Sequence, residues 1–141
     1  MIIMAVDLGK ARTGLAISDE GESFAFPKEV ITEYHTDRLC EKISEKAEVY
    51  GAGMIVVGLP RNMDGSVGFR AQECLEIAEE IQKRSGLPTE MWDERCTTVS
   101  AHETLSRNNV RGKKRKETVD AVAAVLILED YLRFRKSHQK N

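Results

Sequence analysis

A chain of 141 residues, 41% hydrophobic and 31% charged, holds enough apolar material for one domain with a real core, which excludes wholesale disorder. Its net charge of −2 excludes a general polycation, and no run approaches the roughly 18 apolar residues of a membrane span. The start lacks a basic-then-apolar leader, and Cys40, Cys74 and Cys96 are widely spaced with no CxxC, so a cytoplasmic protein with reduced thiols and no zinc framework is expected.

Ile2 to Val6 reads as a first strand with no polar side chain, and it stops on Asp7. Gly9, Lys10 and Arg12 make a short link to a second strand, Gly14 to Ser18. Phe24 to Ile31 is a third; Pro27 lacks a ladder N–H, which places that strand at an edge. The short links predict an antiparallel meander. Leu39, Ile43, Ala47 and Tyr50 then recur at helical spacing, with Thr36 as N-cap and Gly51 or Gly53 as the stop.

The wholly apolar run 54–58, MIVVG, is a strand of the kind buried on both faces of a parallel sheet. The loop LPRNMDGSVG leads to a helix from about Phe69 to Arg84, striped by Cys74, Ala78 and Ile81, with Glu73, Glu76, Glu79 and Glu80 largely outside. SGLP ends it. Thr89 to Trp92 is the last strand, finishing on Asp93 and Glu94. A short helix capped by Thr97 or Thr98 is predicted to about Arg107, then a basic loop, RGKKRK at 111–116, then a long helix from Glu117 to about Lys136.

The order βββ-α-β-α-β-α-α predicts a single α/β domain over 1–141. Its five-stranded mixed sheet combines the three-stranded meander with two parallel strands, flanked by helices. Strand-helix-strand crossovers leave the first, fourth and fifth strands parallel, so their carboxyl ends share the edge at which ligands bind in open sheets. Asp7, the loop holding Asn62 and Asp64, and the pair Asp93 and Glu94 all fall at that edge.

Asp120 is the only charged residue in VDAVAAVLIL, a stretch apolar nearly all round. A buried carboxylate needs a cation, a metal or a proton. Singly, Asp120 also reads as a first-turn acid favoured by the helix dipole, and Asp7 as an acid capping a turn. Together the acids would repel unless something positive sat among them. Lys10, Arg12 and Arg95 could do so as an ion-pair cluster. Magnesium or manganese would do so better, and two such ions suit phosphodiester hydrolysis. Arg111, Lys113, Lys114, Arg115 and Lys116 could hold a polyanion over the site, or form a mobile solvated loop.

VDLGKARTGLAISD, GLPRNMDGS, DERCTT and VDAVAAVLILEDYL, in that order from about Met4 to Leu132, resemble the YqgF/RuvX family. Its members are described as Holliday junction resolvases and as nucleases for immature 16S ribosomal RNA. The resemblance implies a ribonuclease H-like fold, with Asp7, Glu94 and Asp120 as metal-binding, catalytic acids. It selects Glu94 over Asp93, which spacing cannot decide because strand neighbours point to opposite sides. Ala11, Phe69 and Cys96 depart from the family pattern without removing an acid.

Other residues carry two readings. Arg12 and Arg95 position phosphates or neutralise acids; Asn62, Asp64 and Ser66 touch substrate or make a turn. Thr97 and Thr98 read as caps, His35, His102 and His138 as surface residues, and Trp92 as core rather than a base-stacking platform.

The resulting expectation is a two-metal nuclease processing the 5′ end of precursor 16S ribosomal RNA, with pre-ribosomal particles as the implied partner. The alternatives are a Holliday junction resolvase acting on branched DNA and a non-catalytic nucleic-acid module. A sugar kinase- or actin-type ATPase needs two such domains and does not fit the length. A monomer is expected, because Arg133, Arg135 and Lys136 would repel a second copy.

Overall fold

The computed structural model describes residues 1–9, 11–59, 68–93 and 112–138. The strands are β1 (Ile2–Leu8), β2 (Arg12–Ser18), β3 (Ala25–Thr32), β4 (Ala52–Leu59) and β5 (Thr89–Asp93). The helices are α1 (Thr36–Val49), α2 (Phe69–Ser85) and α3 (Gly112–His138). The sheet order is β3-β2-β1-β4-β5, with β1, β2 and β3 antiparallel and β4 and β5 parallel to β1. β3 is an edge strand, as Pro27 requires, and its register skips beside that proline.

Side chains alternate across the sheet and divide the core in two. Met4, Val6 and Leu8 of β1, with Leu15, Ile55, Val57 and Leu59, pack against α1 and α2 through Leu39, Ile43, Cys74 and Ile81. Ile3 and Ala5 face the other way, joining Ala16, Met54 and Val56 beneath Ala124, Ile127, Leu128, Tyr131 and Leu132 of α3. Small residues from β1, β2 and α3 meet in that second layer: Ala5, Ala16 and Ala124 are each fully buried. The absence of bulk there lets the helix lie close to the sheet.

Three predicted boundaries move. β1 runs through Asp7 to Leu8, so the acid stands inside the ladder, opposite Gly14. α1 takes His35 rather than Thr36 as its N-cap, because the amide of Leu39 already bonds the His35 carbonyl at 2.9 Å and closes the first turn there. α3 begins at Gly112, so the expected loop over 111–116 is helical from 112 onward. Lysine and arginine are good helix formers, and a long helix already anchored on the sheet extends at little cost. Glycine stops match expectation: Gly51 and Gly86 adopt left-handed φ of 71° and 72° after α1 and α2.

The far end of α3 is fixed by polar groups. Arg135 pairs with Glu22, which also accepts the Met1 amino group at 3.2 Å. Glu22 itself holds φ 57° in a turn that Asp19 braces by accepting the amides of Ser23 and Phe24, both at 2.8 Å. The Tyr131 hydroxyl donates to Glu90 of β5 at 2.7 Å; burial and that carboxylate push the tyrosine up to about 12. Burial opposes ionisation of Glu22, but Arg135 and the amino group win and hold its carboxyl below the usual range. The pairing therefore stabilises the fold above the ordinary glutamate value, about 4.3, and its contribution is lost as pH falls through the depressed folded value. Glu22→Gln is expected to lower stability by about 1 kcal/mol or less at pH 7, with the difference from wild type vanishing in strong acid. Urea unfolding across that pH range checks it.

Candidate functional site at the carboxyl edge of the sheet

Asp7 follows Ile3 and Ala5 at alternate positions of β1, which puts it on the α3 face of the sheet, half-buried near the strand's carboxyl end. The direction of α3 follows from its anchors. Arg135 and Tyr131, late in the helix, reach Glu22 and Met54, which lie by the amino-terminal ends of β1 and β4. The helix therefore runs away from the Asp7 edge, and its earlier residues lie toward that edge. The stripe of α3 that faces the sheet is Ala124, Ile127, Leu128 and Tyr131, and position 120 lies one turn earlier along the chain. The fold thus puts Asp7 on the face that α3 covers, at the edge from which that helix runs; the Asp120 side chain lies outside what is described.

The packing of β5 fixes which side of the sheet Asp93 takes. Glu90 bonds Tyr131 and Trp92 packs against the second core cluster, so both face α3, whereas Met91 packs against the first. Asp93 continues on the side of Met91, away from the face that carries Asp7. Glu94 lies outside the described residues, as do Asn62, Arg95 and Arg111, together with Lys10, Asp64, Ser66, Thr97, Thr98, His102 and the short helix expected to about Arg107. Among the described residues no group of three or more histidines, cysteines or acids could hold a metal.

Arg12 opens β2, half-buried, and its carbonyl accepts the Gly9 amide at 2.9 Å across the turn that follows Asp7. Asp7, Arg12 and Asp93 each interact with neighbouring groups. Lys113, Lys114, Arg115 and Lys116 fall in the first turns of α3. Its 27 residues span about 40 Å against about 23 Å for seven-residue β1. A helix that much longer than the sheet overshoots it, and the basic turns lie four to seven residues beyond position 120.

Trp92 belongs to the core, as expected: it meets Tyr131 edge-on at 5.7 Å and Phe134 at 5.3 Å. His35 and His138 are exposed, the latter against the Phe134 ring at 4.1 Å. The sequence reading missed Arg70, in the first turn of α2, whose Nη2 donates to the Leu8 carbonyl at 2.8 Å. The available signal was a cation in a helix's first turn, where an acid is favoured. A cleft of about 510 Å³ between the carboxyl ends of α1 and α2 is lined by Glu41, Glu45, Glu48 and Arg84. It lies at the opposite edge of the sheet, and its carboxylates would repel a phosphate.

Comparison with known proteins agrees with this fold. The family described as RuvX: Holliday junction resolvase matches residues 1–134. A Lachnospira eligens protein named "Putative pre-16S rRNA nuclease" is 40% identical over 135 residues, covering 94% of this chain and 96% of its own. Among solved structures, Thermus thermophilus RuvC in complex with Holliday junction substrate superposes with a TM-score of 0.62 at 14% identity, over 97% of this chain and 96% of that one. The fowlpox virus Holliday junction resolvase does so at 0.56 and 13% identity, over 95% and 99%. At such identities the likeness shows the fold, which is ribonuclease H-like.

Proposed function

Because this chain belongs to the RuvX family, we propose that it is a divalent-metal nuclease hydrolysing phosphodiester bonds, with the 5′ end of precursor 16S ribosomal RNA as its substrate. The observation that carries the reading is that Asp7 stands on the α3-covered face near the carboxyl end of β1, the edge from which α3 runs. We assign Asp7, Glu94 and Asp120 as the metal ligands. Oxygen-only donors suit magnesium or manganese, and the alternation that turns Asp93 away supports the next position, Glu94, as the third acid.

Two such ions, when bound, would stabilise both the attacking and the leaving oxygens of the displacement. The chain's own part is to hold its carboxylates rigid. Asp7 sits inside a paired strand, and Asp120 rides a helix packed on the sheet, so neither acid depends on a free loop. Lys113, Lys114, Arg115 and Lys116, at the overshooting end of α3, supply positive charge to the backbone of a strand laid across that edge, with Arg12, Asn62, Arg95 and Arg111 as further contacts.

Replacing Lys113, Lys114, Arg115 and Lys116 with alanine is expected to weaken nucleic-acid binding and flatten its salt dependence, by up to about 0.9 in log–log slope for each phosphate no longer neutralised. Binding titrations between low and physiological salt check it; an unchanged slope would place these side chains away from the substrate.

RNA is favoured over branched DNA because symmetric junction cleavage needs a two-fold pair, and the outward end of α3 presents Arg133 and Lys136, both exposed. A monomer with one active edge suits trimming beside a folded RNA. Precursor ribosomal RNA and a four-way DNA junction, assayed side by side with the mass in solution, test the choice. A stable dimer that nicks the junction symmetrically and spares the RNA would reverse it. Metal titration by calorimetry separates both from a non-catalytic module, which would bind nucleic acid and no metal.

A further inference from the structure

Arg70 occupies a costly position. It is the second residue of α2, where the helix dipole presents partial positive charge, and α2 has no acid in its first turn to offset it. Its Nη2 reaches back 62 residues to the Leu8 carbonyl at 2.8 Å, while Nη1 stands 3.8 Å from Glu73. Leu8 is the last residue of β1, next to Asp7, and the turn after it closes at once through the Gly9 amide on Arg12. The Leu8 side chain is buried on the α1 and α2 side, opposite the face that carries Asp7.

Resting on the reading of this edge as a nuclease site, we propose that Arg70 is a positioning residue: it grips the end of β1 from the α2 side and fixes the aim of the Asp7 carboxylate on the other. A strand end pinned on one side by core packing and held at its carbonyl has little freedom to twist, so the acid one residue earlier keeps its direction. Arginine suits the task because its planar fork bonds the carbonyl while a second nitrogen stays near Glu73, which a lysine's single ammonium cannot reproduce.

Arg70→Gln and Arg70→Lys test this in the full-length protein, by three measurements: cleavage of precursor ribosomal RNA with kcat and KM separated, Mn2+ affinity by calorimetry, and amide hydrogen exchange at Gly9. Both variants are expected to melt within about 5 °C of wild type and to keep KM within about twofold. Each is expected to lose about tenfold or more in kcat and in Mn2+ affinity, the size usual for groups that orient a ligand. Gly9 should exchange faster in both. Wild-type kcat, Mn2+ affinity and exchange in the variants would overturn the proposal, and so would a loss confined to KM, which marks a phosphate contact. If a variant melts far below wild type, the exchange of Gly9 relative to the core amides decides: a uniform rise overturns the proposal, and a rise confined to the turn upholds it. A wild-type protein that neither binds Mn2+ nor cleaves RNA or junction DNA would overturn the nuclease reading itself, a result distinct from inert variants of an active enzyme.

Discussion

Asp7→Asn, Glu94→Gln and Asp120→Asn are each expected to abolish cleavage, by at least about 10³-fold in kcat, or about 4 kcal/mol of transition-state stabilisation. Each substitution removes a charge and hardly any volume, so the fold should survive, and circular dichroism should superpose on wild type. Relief of repulsion among the acids should leave thermal stability without metal unchanged or slightly raised. The combination matters: an acid kept for structure would lose stability when neutralised, and a metal ligand loses activity alone. Single-turnover cleavage in magnesium and in manganese, beside thermal melts, checks both halves. Two of the three variants cleaving at wild-type rates would sink the assignment.

Gly9→Ala is expected to be nearly as damaging without touching a charge. A Cβ at position 9 would lie 2.2 Å from the Arg12 carbonyl oxygen, the same atom that accepts the Gly9 amide at 2.9 Å. The requirement is close approach of backbone rather than left-handed φ, so no side chain is small enough. Relieving the clash takes a shift of about 1 Å in the turn that immediately follows Asp7. Displacements of that size at a catalytic group cost about 10²-fold in rate, and the opened turn should cost about 1–3 kcal/mol of stability. Gly51→Ala is the control. Gly51 has a φ of 71° with nothing within 4 Å of an added Cβ, and it sits at the opposite edge. It should lose about 1–2 kcal/mol from backbone strain and retain its cleavage rate. Urea unfolding and single-turnover kinetics on both variants decide whether the Asp7 turn is special or merely tight.

The order of the described elements and the placing of Asp7 and Asp93 near one edge of the sheet were legible from local patterns alone. Pro27 told its strand to be at an edge because a missing N–H is a property of the residue and not of its surroundings. The Gly86 stop, the buried strand at 54–58 and the amphipathic stripe of Leu39, Ile43 and Ala47 are likewise written into a few neighbouring positions. The resemblance to the YqgF/RuvX family rested on four such stretches in register, and the fold it implied is the fold found.

Tertiary structure decided what a periodicity of two leaves open. Alternation separates Asp93 from Glu94 but does not say which side of the sheet α3 covers; only the packing of Ile3, Ala5 and Trp92 under α3 shows that Asp7 lies on that side and Asp93 does not. The direction of α3 came from Arg135 on Glu22, a contact 113 residues apart that no local pattern encodes. The helical state of 112–116 was misread from the sequence because self-repelling basic runs look unstructured in isolation, whereas docking of the rest of α3 offsets the cost of starting a helix. Arg70 on Leu8 is of the same kind. Local sequence sets which conformations are cheap, and long-range packing selects which of them face one another.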